Sequence, residues 1–178
     1  MNIANKLTVL RVVLIPFFLL ALYLLKGDLA NYTAVSIFII ASVTDWFDGY
    51  LARSKNLVTD FGKFMDPLAD KLLVSAALIY FVEQGMVPAW IVIVIISREF
   101  AISGVRLVAA TNGKVIAANW WGKIKTFTTL IMIIVLLFHF NFEGIKLVEM
   151  ILIYASLLFT VVSGTEYIIK NISVFKEN

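Results

Sequence analysis
Six apolar runs of roughly 20 residues, separated by short polar breaks, leave this chain one economical way to fold, as helices crossing a hydrocarbon core of about 30 Å. The runs cover residues 9–25, 32–46, 64–84, 89–110, 122–140 and 145–169, the second continuing as a helix out of the membrane through 53. With 61% of its 178 residues hydrophobic, the chain lies far from the composition of a soluble domain. The expected fold is all-α: a polytopic membrane protein of six transmembrane helices, forming a single membrane-embedded domain over 1–178. The first run has the basic start and apolar centre of a signal peptide. No small-residue cleavage site follows it, so it is expected to stay as the first helix. Pro16 inside it removes a backbone donor and is expected to kink it.

Placement of the basic residues decides orientation. An even number of spans puts both termini, and the connectors after the second and fourth helices, on one side. Counting helix ends, that side holds Lys6, Arg11, Arg53, Lys55, Lys63, Lys71, Arg98, Arg106, Lys114, Lys123, Lys125, Lys170 and Lys176, while the other keeps Lys26 and Lys146. Such a bias places the termini in the cytoplasm of a multi-pass cell-membrane protein.

Four acids, Asp45, Asp48, Asp66 and Asp70, then stand out as two pairs around a short connector carrying Arg53 and Lys55. At about 100° per residue, Asp45, Asp48 and Ala52 fall within roughly 60° of one another, and Gly62, Asp66 and Asp70 within about 80° on the next helix. Pro67 calls for a helix start or a bend near itself. A short connector makes the two helices antiparallel neighbours, so the acidic pairs are expected to converge at the cytoplasmic face. Converging carboxylates repel one another and lose hydration beside a bilayer, and cations relieve both costs. The chain has no cysteine, so oxygen donors remain, and the economical answer is two divalent ions, Mg²⁺ or Mn²⁺, bridging carboxylates to a substrate's phosphates. Gly49 and Ala52 leave the same face without bulk.

The pattern D-x2-D-G-x2-A-R-x8-G-x3-D-x3-D is met in full by Asp45, Asp48, Gly49, Ala52, Arg53, Gly62, Asp66 and Asp70. It resembles the signature of the CDP-alcohol phosphotransferase family, integral membrane enzymes that transfer a phosphatidyl or related group from a CDP-linked donor to an alcohol. The resemblance implies that Asp45, Asp48 and Asp66 bind two metals, and that Asp70 completes the site and acts as general base. It implies that Gly49, Ala52 and Gly62 line the cytidine pocket and that Arg53 helps to hold the nucleotide. The chemistry expected is attack of an alcohol on the donor's β-phosphorus with release of CMP. Interfacial ion pairing with nearby Lys and Arg is the plain alternative, but it requires no such spacing.

The fourth and fifth runs bear on the acceptor. Arg98 and Arg106 lie on nearly the same helix face, Glu99 is beside Arg98, and Asn119, Lys123, Lys125 and Thr126 follow around the start of the fifth helix. Arg98, Arg106, Lys123 and Lys125 are expected to form a cationic pocket at the depth of the acids, suited to a phosphorylated acceptor. Headgroup anchoring competes with that role, most strongly for Lys123 and least for Arg98. The strings SREFAISGVR, GKIKT and NIANKLTVLR resemble those of family members whose acceptor is sn-glycerol 3-phosphate, with Ala4 and Thr129 as departures. The resemblance then implies CDP-diacylglycerol as donor and phosphatidylglycerol phosphate as product. It also implies that Asn5 and Thr8 close over the nucleotide; on the residues alone, Asn5, Thr8 and Arg11 read as a helix cap and an interfacial anchor. Expected partners are the two substrates, membrane lipids and, by resemblance, a second copy in a homodimer; nucleic acid is not among them.

Two other functions compete. The same chemistry with inositol phosphate or another alcohol differs only in acceptor. A divalent-cation transporter needs acids at midplane, whereas these cluster at one face and no second polar cluster lies across the membrane. His139, at the far end of the fifth run, is expected to be interfacial and outside the catalytic set.

Overall fold
Each apolar run folds as a helix: α1 (Ile3–Leu24), α2 (Asp28–Ser54), α3 (Asp60–Glu83), α4 (Ala89–Thr111), α5 (Trp120–Phe138) and α6 (Ile145–Lys170). The structure is a computed structural model that describes the backbone of residues 3–54, 60–111, 119–140 and 142–171, and the side chains of 9–44, 68–109, 119–140 and 142–171. Among the described residues there is no strand. The shortest helix has 19 residues and the longest 27. At about 1.5 Å per residue even the shortest approaches the thickness of a hydrocarbon core.

Two starts differ from the sequence expectation. Helix α1 begins at Ile3, so Asn5 and Thr8 lie within its first turns rather than capping it, and Pro16 sits inside a continuous helix. Helix α3 begins at Asp60, so of the two expectations at Pro67, a helix start or a bend, the start lies earlier in the chain and Pro67 falls within the helix. An acid in a first turn is favoured by the exposed N–H groups there, and Asp28 occupies such a position in α2.

The α3–α4 connection is a tight cap. The N–H of Gly85 donates to Val82 O at 3.0 Å and that of Met86 to Phe81 O at 2.9 Å. The second bond needs Gly85 in the left-handed region, and its φ is +69°. His139 likewise ends α5 with φ 47°.

The described chain divides into two compact units. The first comprises residues 1–77 and 134–140. Here α1 and α2 pack together, and the core takes in Phe18, Leu22, Ala34, Val35, Phe38 and Ala41. The rings of Phe18 and Phe38 lie 6.0 Å apart, and the small residues along α2 let helices approach closely. Arg11 is 1% exposed and engaged in interactions; so enclosed, it is not the interfacial anchor its position suggested.

The second unit comprises residues 78–133 and 141–178, and in it α4 packs on α6. Helix α6 is inverted relative to a helix of a water-soluble protein. It buries Ser156, Thr160, Ser163, Gly164 and Tyr167 while exposing Leu147, Ile151, Leu158, Val161 and Ile168. In water each large apolar side chain left outside forgoes about 1.5–3 kcal/mol of burial. In lipid that loss vanishes and polar groups gain by turning inward. Helices α5 and α6 are long and apolar enough to cross a membrane, and 9–24 and 28–44 are shorter apolar helices.

Candidate active site
The acids ride on two helices of the first unit. Asp45 and Asp48 lie on α2 at a spacing of three, and Asp66 and Asp70 on α3 at a spacing of four, so helical backbone holds each pair on one face. Gly49, Ala52 and Arg53 fall on the last turns of α2, and Gly62 on the first turn of α3. The side chains of Asp45, Asp48, Arg53 and Asp66, like those of Asn5 and Thr8, lie outside the described residues. Asp70 is described: it is half-buried, beside fully buried Ala69, and engaged with neighbours. Among the described residues no three candidate ligands form a metal cluster, and three of the four acids fall outside that set. The donor chemistry of the pattern suits a hard divalent ion, since all four potential ligands are carboxylates.

The second unit organises the cations, and it treats the four differently. Arg98 Nη1 donates to Glu99 Oε1 at 2.9 Å, and Lys125 Nζ donates to the same oxygen at 2.5 Å. Arg98 Nη2 donates to Ser163 Oγ on α6 at 3.0 Å. Arg98 and Lys125 are thus brought together. Arg106, two turns along α4, is exposed, with its Nε donating to Tyr167 OH at 3.3 Å and its guanidinium 5.4 Å from the Tyr167 ring centre. Lys123 is exposed over the Trp120 ring and is not joined to the Arg98–Lys125 pair. Positions 123 and 125 are about 200° apart on a helix, which accounts for the separation.

Helix α5 begins where Asn119 sets it. The Gly122 N–H donates to Asn119 Oδ1 at 2.9 Å, an N-cap that satisfies one free donor of the first turn. Asn119 Nδ2 donates to Glu166 Oε2 on α6, and Lys170 Nζ donates to Glu166 Oε1 at 2.6 Å. This network ties the start of α5, and with it the register of Lys125, to α6. Thr129, one turn beyond Lys125, is 2% exposed, and its hydroxyl has no hydrogen-bond partner among the described residues.

The contribution of α6 was not singled out from the sequence. Its signal is the recurrence of Ser156, Thr160, Ser163 and Tyr167 at steps of four, three and four, an inward polar stripe on an otherwise apolar helix. Gly164 belongs to that stripe for a steric reason: a Cβ there would stand 3.1 Å from Arg98 Cγ. Arg98 is held at both guanidinium ends and cannot easily yield. Gly164→Ala is therefore expected to lower stability by about 1 kcal/mol, the overpacking cost outweighing the gain in helix propensity. Thermal unfolding of the purified protein checks this, and an unchanged or raised midpoint would show that Arg98 gives way freely.

Comparison with known sequences bears on this arrangement. The sequence model of the CDP-alcohol phosphatidyltransferase family matches residues 1–162. A Bacillus subtilis protein named CDP-diacylglycerol–glycerol-3-phosphate 3-phosphatidyltransferase is 50% identical, over 98% of this chain and 97% of its own. A Haemophilus influenzae protein of the same name is 42% identical over 94% of this chain and 91% of its own. A Mycobacterium tuberculosis protein named probable phosphatidylglycerophosphate synthase is 41% identical over 94% of this chain and 80% of its own.

Proposed function
The chain belongs to the CDP-alcohol phosphatidyltransferase family, and on that premise we propose that it transfers the phosphatidyl group of CDP-diacylglycerol to sn-glycerol 3-phosphate, giving phosphatidylglycerol phosphate and CMP. The observation that carries the reading is the near full-length similarity to relatives named for that reaction, with all eight positions of the acidic pattern in place.

In the proposed mechanism Asp45, Asp48, Asp66 and Asp70 hold two divalent ions, Mg²⁺ or Mn²⁺. When bound, such ions neutralise the donor's diphosphate and the charge that develops on it. Gly49, Ala52 and Gly62 offer a surface without bulk to the cytidine, with Arg53, Asn5 and Thr8 around the nucleotide. Arg98 and Lys125 take the acceptor's phosphate, and Arg106 and Lys123 contribute longer-range attraction. Asp70 accepts the proton of the acceptor hydroxyl as that oxygen attacks the β-phosphorus. The bond from phosphorus to the CMP oxygen breaks, and CMP leaves with the electron pair.

Six membrane-spanning helices with cytoplasmic termini and a cytoplasmic active site complete the proposal. Helix lengths and the one-sided distribution of Lys and Arg support that topology. A homodimer in the cell membrane, in contact with its lipids, is proposed from the family resemblance.

An acceptor panel tests the proposal. Purified protein supplied with CDP-diacylglycerol and Mg²⁺ is expected to release CMP when sn-glycerol 3-phosphate is added, and not with inositol phosphate. Release with inositol phosphate alone would reassign the acceptor.

A further inference from the structure
Glu99 is where two of the second unit's cations, Arg98 and Lys125, meet. One carboxylate oxygen accepts from Arg98 on its own helix and from Lys125 on α5, while Ser163 of α6 accepts from the other arm of Arg98. The three charged side chains are 14%, 20% and 3% exposed for Arg98, Glu99 and Lys125. Two cations sheltered to that degree repel each other and have each lost hydration, and an anion between them offsets both effects. The sum over the three groups is one positive charge. A guanidinium has five N–H donors and an ammonium three, and the shared carboxylate oxygen orients both groups while taking one donor from each. Arg98 Nε is in addition buried with no hydrogen-bond partner among the described residues.

We propose that Glu99 is a positioning residue for phosphate recognition: it fixes the separation and direction of Arg98 and Lys125, so that the two present their remaining donors to one phosphomonoester. The proposal rests on the reading that these cations take the phosphorylated acceptor. It goes beyond that reading by giving an anion, at first sight unfavourable beside a phosphate, the task of preorganising the site. The gain is that the cations need not be gathered and desolvated when the acceptor arrives.

The test uses the full chain and the variants Glu99→Ala, Glu99→Gln, Lys125→Ala and the double variant Glu99→Ala/Lys125→Ala. CMP release is measured against each substrate in turn. Glu99→Ala is expected to raise the acceptor KM about tenfold and to leave the donor KM within about twofold. Glu99→Gln, whose amide oxygen still accepts a hydrogen bond but carries no charge, is expected to fall between wild type and Glu99→Ala. In the Lys125→Ala background the effect of removing Glu99 is expected to shrink to less than about threefold, since one of the two groups it aligns is gone.

An equal rise in both KM values, or an effect of Glu99→Ala that is as large without Lys125 as with it, would overturn the proposal in favour of a purely structural ion pair. Should Glu99→Ala fail to fold, a wild-type acceptor KM in Glu99→Gln overturns it equally. Equilibrium binding of inorganic phosphate to the same variants is independent of the acceptor's identity, and the same order of affinities is expected. Phosphate affinities in that order across the variants, together with no release of CMP by the wild-type protein with sn-glycerol 3-phosphate, would refute the acceptor reading and leave the positioning role standing.

Discussion

Asp70→Asn is expected to lower kcat by about 10²- to 10⁴-fold, the range over which a positioned general base contributes. The amide keeps an oxygen donor and nearly the same volume, so binding of the CDP-linked donor in the presence of Mg²⁺ is expected to persist. The described position suits the role: Asp70 lies on a helix that starts well before it, half-buried beside fully buried Ala69, so the backbone that carries it is fixed. Turnover under single-turnover conditions and nucleotide binding at equilibrium check the two halves of the expectation. Full activity in Asp70→Asn would remove the base assignment. Asp45→Asn and Asp66→Asn serve as the contrast, since both are expected to weaken binding of the metal as well as turnover.

The second large effect is expected at Arg98. Truncation to Ala removes a guanidinium that reaches Glu99 and Ser163 and, in the proposed mechanism, the acceptor's phosphate. A hydrogen bond to a charged group contributes about 1.5–3 kcal/mol, which corresponds to a rise of roughly 10- to 150-fold in the acceptor KM. Lys125 keeps Glu99 as its partner in this variant, so the fold is expected to survive. The donor KM is expected to change little. A comparable rise for both substrates, measured by CMP release, would place Arg98 outside the acceptor pocket.

Much of this protein is legible in the sequence because its strongest signals are local. Apolar runs bounded by Gly85, Pro88 and Gly144 specify helices with little help from tertiary structure, and the acidic pattern carries its spacing in the chain itself. Helix starts were less legible at α1 and α3, where polar residues and a proline favour other local readings, and the helix extends past them. The pairing among the cations was not legible at all. Arg98, Arg106, Lys123 and Lys125 look alike as a group of positive charges; helical spacing alone parts Lys123 from Lys125, while the packing of α4 against α6 and the cap at Asn119 decide which partner each cation meets. Arg98 and Lys125 share Glu99, Arg106 turns to Tyr167, and Lys123 lies over Trp120. Arg11 illustrates the same limit. A basic residue near a helix end reads as an interfacial anchor, yet this one is buried.

The identity and quantity of the lipid product test the proposed reaction most directly. Purified protein, CDP-diacylglycerol, sn-glycerol 3-phosphate and Mg²⁺ are incubated, and CMP and the lipid product are quantified together by mass spectrometry. The expected result is phosphatidylglycerol phosphate formed in equal amount to CMP, with both abolished by a chelator and restored by added Mg²⁺ or Mn²⁺. CMP without a matching lipid product, or divalent-metal flux into liposomes with no nucleotide present and no lipid product formed, would contradict phosphatidyl transfer as the function of this chain.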